Sequence, residues 1–100
     1  MSGLHRREVL KSAFAERGDA LAISGLGSAT WDLASLGDRD DNFYLWGAMG
    51  NAAMIGLGLA RARPDKRVVV ITGDGEMLMG LTSFTTIGAK RPENLAICVL

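Results

Sequence analysis

Cysteine is almost missing from this chain: Cys98 is the only one in 100 residues. An internal disulfide is excluded, and Cys98, in an apolar run, is expected to be a small core residue. Histidine is equally scarce, and the single one, His5, is expected at the surface near the start of a helix. No sign of charge dominates. Eleven basic residues balance eleven acidic ones and the sequence pI is about 6.5, so composition makes no electrostatic case for nucleic acid. No long hydrophobic run is present either. The most apolar window, Phe43 to Ala60, holds Asn51 and four glycines, and is expected to be a buried helix with a lead-in strand rather than a membrane span. Met1 to Lys11 carries basic residues without an apolar stretch behind them, unlike a secretory signal. Cytoplasm is the expected location. Internal repeats, low-complexity segments and linkers are absent, and the length allows one domain at most.

What is abundant is glycine, with 13 residues. The most informative stretch is Lys66 to Gly80, KRVVVITGDGEMLMG. Arg67 to Thr72 is dominated by β-branched residues and lacks polar alternation, which predicts a strand buried on both faces of a parallel sheet. It stops at Gly73-Asp74-Gly75. Helical spacing resumes at Leu78, Leu81 and Phe84, predicting one helix to about Ala89. Such a strand–loop–helix places Asp74 at the carboxyl edge of a sheet, where ligands of open α/β folds bind. Gly73 and Gly75 permit a sharp turn and close approach. Free N–H groups at the helix start suit a phosphate, and Asp74 suits a hard cation such as Mg²⁺.

Along the rest of the chain, Leu4 to Arg17 predicts an amphipathic helix with Val9, Leu10, Ala13 and Phe14 inward and Gly18 as its stop. A short strand is expected at Ala20 to Ser24, then a Gly25-Leu26-Gly27-Ser28 loop and a helix from Thr30 to Leu36. Asp38, Asp40 and Asn42 imitate a calcium loop, but Phe43 and Met49 occupy its obligatory Gly and Glu positions, so a solvated turn is expected. Phe43 to Trp46 is a brief strand followed by Gly47-Ala48-Met49-Gly50. Asn51 is expected to cap a helix ending before Pro64, kept thin by Gly56 and Gly58 for close packing. Arg61, Arg63, Lys66 and Arg67 form a basic cluster expected to be solvated. Asn94 to Leu100 predicts a last strand. The alternation of helix and strand predicts an α/β fold with a mostly parallel sheet and helices on both faces.

Right-handed crossovers bring the three glycine loops to one edge, as a shared cradle of N–H groups with one metal-binding carboxylate. A dinucleotide fold competes for the first loop, since Gly25-x-Gly27-x-x-Thr30 approaches G-x-G-x-x-G. Thr30 in place of the third glycine weakens it, as does the lack of an acidic residue ending a second strand.

Asn42 to Gly50 (NFYLWGAMG), the helix end GLARARP at Pro64, and VITGDG at Gly75 together resemble the diphosphate-binding domain of thiamine diphosphate enzymes. The nearest likeness is to sulfopyruvate and phosphonopyruvate decarboxylases, with acetolactate synthases as broader relatives. The resemblance implies thiamine diphosphate and Mg²⁺ as cofactors and a 2-oxo acid as substrate. It implies that Asp74 binds Mg²⁺, that Gly75 and Glu76 offer backbone N–H groups to the diphosphate beside Gly73, and that Gly27 and Ser28 line the same pocket. By the same resemblance Gly47 offers its carbonyl to the aminopyrimidine and Met49 props the cofactor into a bent shape, where the bare sequence allows a core methionine. The Glu76 side chain, beside a diphosphate, is expected to point away. No catalytic side chain is expected on this chain, because in the family the activating glutamate comes from a pyrimidine-binding domain or subunit, within a homo- or hetero-oligomer. The family's second metal ligand, an Asn, follows the strand that here ends at Leu100, so residues 1–100 are expected to be the N-terminal portion of the domain, incomplete at the C-terminus. Asn94, at the wrong end of that strand, is no substitute. The alternatives are a carboligase part or a non-catalytic fragment that only pairs with a partner subunit.

Overall fold

A computed structural model describes residues 3–100; Met1 and Ser2, the start of the basic N-terminal segment, lie outside the described residues. The elements run α1 (Arg6–Ala13), β1 (Leu21–Ser24), α2 (Ser28–Ala34), β2 (Asn42–Tyr44), α3 (Ala52–Ala62), β3 (Val68–Thr72), α4 (Asp74–Met79), α5 (Ser83–Lys90) and β4 (Leu95–Val99). The four strands pair in parallel in the order β2-β1-β3-β4. The chain thus leaves β1 to one side for β2, then crosses back to β3 on the other. This is a topological switch between β1 and β3.

β3 is central because it is apolar on both faces. Val68 and Val70 pack under α3 with Ile23, Leu45, Ala52 and Ala60. Ile71 faces the opposite layer, where Leu10 of α1 meets Ala29 and Leu33 of α2, with Val69 and Phe14 alongside. The expected arrangement of helices on both faces is therefore present. Gly56 shows why α3 is thin. A Cβ there would collide with Val70 Cγ2 and lie 3.2 Å from Leu95 Cδ1, whereas one on Gly58 would meet nothing within 4 Å. The two glycines should respond oppositely to one substitution. Gly58→Ala should stabilise by about 0.5–1 kcal/mol, as for a helical glycine with room. Gly56→Ala should lose about 1 kcal/mol net, overpacking outweighing the same propensity gain. Urea melts of both variants decide, and equal stabilisation would remove close packing as the reason for Gly56.

Several elements differ from expectation. α1 covers only Arg6–Ala13; Leu10 is buried, Val9 and Phe14 are half-buried, and Ala13 is exposed. It is tied to α2 by Arg6 and Arg7, which both reach the buried Asp32 carboxylate at 2.7 and 3.2 Å. Asn51 occupies the cap position of α3, but its side chain makes no cap bond. The helix expected to run from Gly-Asp-Gly to Ala89 is divided into α4 and α5. At the junction Gly80 lies so close that a Cβ would collide with the Gly50 carbonyl oxygen, and tight bonds such as Ser83 N–H to Gly80 O and Phe84 N–H to Leu81 O turn the chain. Leu78, Leu81 and Phe84, the spacing that predicted one continuous helix, are exposed.

The basic cluster engages local partners: Arg63 forks onto Asp65, Lys66 reaches Asp19, and Arg67 donates to the carbonyls of Glu16 and Arg17. Asn94 stitches the end of α3 to β4 by donating to the carbonyls of Ala60, Arg63 and Lys66. Cys98 is half-buried in β4 rather than deep in the core. Among the described residues no helix is long and apolar enough to cross a membrane; the window from Phe43 to Ala60 divides into β2, a loop and α3.

Candidate functional site

Parallel register brings the ends of β1, β2 and β3 to the same edge. Ser24 pairs with both Tyr44 and Ile71, one residue before Thr72 ends β3. The loops that begin after Ser24, Tyr44 and Thr72 therefore leave side by side, with those after β1 and β3 flanking the switch point. Ligands of open α/β sheets bind in that position.

The glycines of these loops fall into two groups. Gly25, Gly50 and Gly80 are spent on packing, since a Cβ on each would meet Glu76, Met79 and the Gly50 backbone respectively. Gly27, Gly47, Gly73 and Gly75 face open space, with nothing within 4 Å of a built Cβ. Gly27 also adopts φ +76, which favours glycine. The other three have no positive φ and no neighbour that demands glycine. Gly73 is extended (φ −102, ψ 166) and Gly75 lies within α4, so neither makes the sharp turn expected of it. Their missing side chains leave bare backbone accessible from outside.

Asp74, the first residue of α4, is exposed beside this bare backbone. Its Oδ1 accepts the Gly75 N–H at 2.8 Å, and among the described residues Oδ2 takes no protein hydrogen bond. No group of three or more His, Cys, Asp or Glu side chains is arranged for a metal among the described residues. A cation at Asp74 would take this carboxylate from the described residues and keep its other positions open to phosphate, water and further protein ligands, which suits Mg²⁺ at phosphate sites. Residues and ion fit.

Gly27 and Ser28, at the start of α2, are exposed. Thr30, whose presence weakened the dinucleotide reading, closes this loop by donating its hydroxyl to the Gly25 carbonyl at 3.0 Å. In the second loop Gly47 is exposed and Met49 is 49% exposed, so Met49 is not a core methionine. That loop is strained at Ala48, a non-glycine residue at φ +59, while Gly50 at φ +96 adopts a conformation that favours glycine. A cavity of about 220 Å³ lies beside it, lined by Met49, Asn51, Met54, Met79 and Ser83.

Glu76 is turned inward: the residue is 5% exposed, and its carboxylate lies among the three loops, a placement the sequence did not specify. The Thr72 hydroxyl donates to Oε1 at 2.7 Å, and the N–H groups of Gly50 and Ala52 both donate to Oε2 at 3.3 Å. Repulsion from a diphosphate is the reason given for pointing it away; the hydrogen-bond donors at the start of α3 supply the reason that it lies inward. The second loop therefore adds less to the cradle than expected, because these two amides are already used. Thr72 was also missed, as a buried hydroxyl inside an apolar strand gives no sequence signal for its partner.

A parallel α/β sheet whose switch-point loops present bare glycine backbone and one exposed carboxylate is the arrangement in which open α/β folds take phosphate-bearing ligands. The family is specific: residues 26–100 match the thiamine pyrophosphate enzyme, C-terminal TPP binding domain, and the chain belongs to that family. It is 49% identical over 82 residues to phosphonopyruvate decarboxylase of Streptomyces viridochromogenes, covering 82% of this chain and 20% of that protein. It is 41% identical over 97 residues to sulfopyruvate decarboxylase subunit beta of Methanothermobacter thermautotrophicus, covering 97% of this chain and 52% of that subunit. The corresponding subunit of Methanocaldococcus jannaschii is 40% identical over 96 residues, with 95% and 50% covered. The chain thus spans about half of these beta subunits and a fifth of the Streptomyces enzyme. Family membership sets aside the dinucleotide reading.

Proposed function

We propose that this chain forms part of the diphosphate-binding domain of a cytoplasmic, thiamine diphosphate-dependent decarboxylase acting on a 2-oxo acid of the sulfopyruvate or phosphonopyruvate type. The observation that carries the reading is the exposed Asp74 carboxylate set among glycines that no internal contact requires, at the β1/β3 switch point. Asp74 would hold Mg²⁺, and the backbone at Gly73, Gly75 and Glu76, with Gly27 and Ser28 opposite, would hold the diphosphate. Gly47 would offer its carbonyl to the aminopyrimidine, and the half-exposed Met49 would support the bent cofactor. When bound, the cofactor supplies an electron sink for the pair left as CO₂ departs. The chain's own residues bind and orient; a partner domain or subunit, suggested by relatives named as beta subunits, would bring the activating glutamate.

The test is CO₂ release by the whole protein with its partner, given thiamine diphosphate, Mg²⁺ and either sulfopyruvate, phosphonopyruvate or pyruvate. Release from an anionic 3-substituted substrate, dependent on both cofactors, is expected. No release from any of the three would sink the decarboxylase reading.

A further inference from the structure

We propose that Glu76 is a positioning residue: its buried carboxylate caps α3 from the neighbouring helix and thereby fixes the Met49 loop relative to Asp74. Asn51, the residue in the cap position, leaves the task undone. Glu76 takes it over by accepting from Gly50, the residue after Met49, and from Ala52, the first residue of α3. Its other oxygen is held by Thr72 at the end of β3, two residues before Asp74. One carboxylate thus joins the strand that delivers the metal ligand to the loop that delivers Met49.

Three features show that this placement is built for the carboxylate. Among the described residues Glu76 makes no ion pair, so burying its charge is costly unless donors compensate it, and the amides at the start of α3 do so. The first loop makes room for it, since a Cβ on Gly25 would collide with Oε1. The loop it holds would not hold itself: Ala48, a non-glycine residue, sits at φ +59, and such strain persists only where surrounding contacts impose it. All three partners donate, which a carboxylate satisfies and an aliphatic side chain cannot.

The role of Met49 rests on the proposed function, but the capping does not, and the experiment separates them. In the full-length protein with its partner, amide hydrogen exchange is measured without cofactor for the native form, Glu76→Ala and Glu76→Gln. Glu76→Ala should speed exchange at Gly50 and Ala52 at least tenfold while amides of α1 and β4 change less than threefold. Glu76→Gln can still accept both amides through its carbonyl and donate to the Thr72 hydroxyl, so it should restore most of that protection. With cofactor, Glu76→Ala should lower kcat on the order of thirtyfold with less than a threefold change in cofactor Kd, and Glu76→Gln should recover most of the lost kcat. Unchanged local exchange would overturn the capping role. Altered exchange with kcat and cofactor affinity falling together would overturn the positioning of Met49. If no 2-oxo acid is turned over, the proposed function fails while the exchange results still judge the cap.

Discussion

Asp74→Ala should weaken thiamine diphosphate binding in the presence of Mg²⁺ about a hundredfold, or about 2.8 kcal/mol. The effect is large because no group of three or more His, Cys, Asp or Glu side chains stands in reserve for the metal among the described residues. Stability should change by less than about 1 kcal/mol, the loss of an exposed acid at a helix start. Calorimetric titration of the full-length protein with its partner measures the first effect, and a urea melt measures the second. Chelating Mg²⁺ should weaken the native protein and leave the variant where it was. Equal affinity of the two proteins with Mg²⁺ would remove Asp74 as the metal ligand.

The largest effect on stability is expected at the opposite edge of the sheet. Arg17 is buried, stacks 5.5 Å from the Phe14 ring centroid, and donates to the carbonyls of Ala20 and Asp41 and to the Asp41 carboxylate. It thereby joins the end of α1, the start of β1 and the turn before β2. Arg17→Met keeps much of the apolar stem but strands the Ala20 and Asp41 carbonyls, and should cost about 2 kcal/mol, as losing a charged hydrogen-bond donor from a buried site does. Burial raises the Asp41 carboxyl pKa, but the hydrogen bond from Arg39 and the charges of Arg17 and Arg39 outweigh it and hold the value below the ordinary one. A lowered folded pKa contributes stability above the unfolded value, near pH 4, that is lost as pH falls through the folded value. The difference between native and Arg17→Met should therefore narrow below about pH 4. Urea melts at neutral and acid pH check this; a neutral-pH loss under about 1 kcal/mol would show that Arg17 is dispensable.

β3 and the Gly73-Asp74-Gly75 edge were legible because their signals are local: a β-branched run, an abrupt glycine stop, and helical spacing beyond. The resemblance added the roles proposed for Met49 and Gly47, which the bare sequence does not indicate. The direction of Glu76 was not legible. Its decisive partners, Gly50 and Ala52, lie more than twenty residues away, and only the folded sheet brings them together. The same distance hides why Asn51 need not cap. The division between α4 and α5 was invisible for another reason: the apolar spacing continues through Gly80, while the cause of the turn is a backbone contact with Gly50. Arg17 at a helix end reads as a solvated charge until the turn at Asp41 is packed against it.

The three loops at the carboxyl edge, residues 25–31, 45–52 and 73–83, contain Asp74 and Glu76 but no lysine, arginine or histidine. Apart from the partial charges of backbone N–H groups, nothing on these loops offsets an arriving polyanion. A bare diphosphate would meet like charge first. A divalent cation at Asp74 would therefore be more than an extra ligand: its two charges would cancel those of Asp74 and Glu76. If the proposed site holds both, the metal should arrive before the diphosphate or already bound to it.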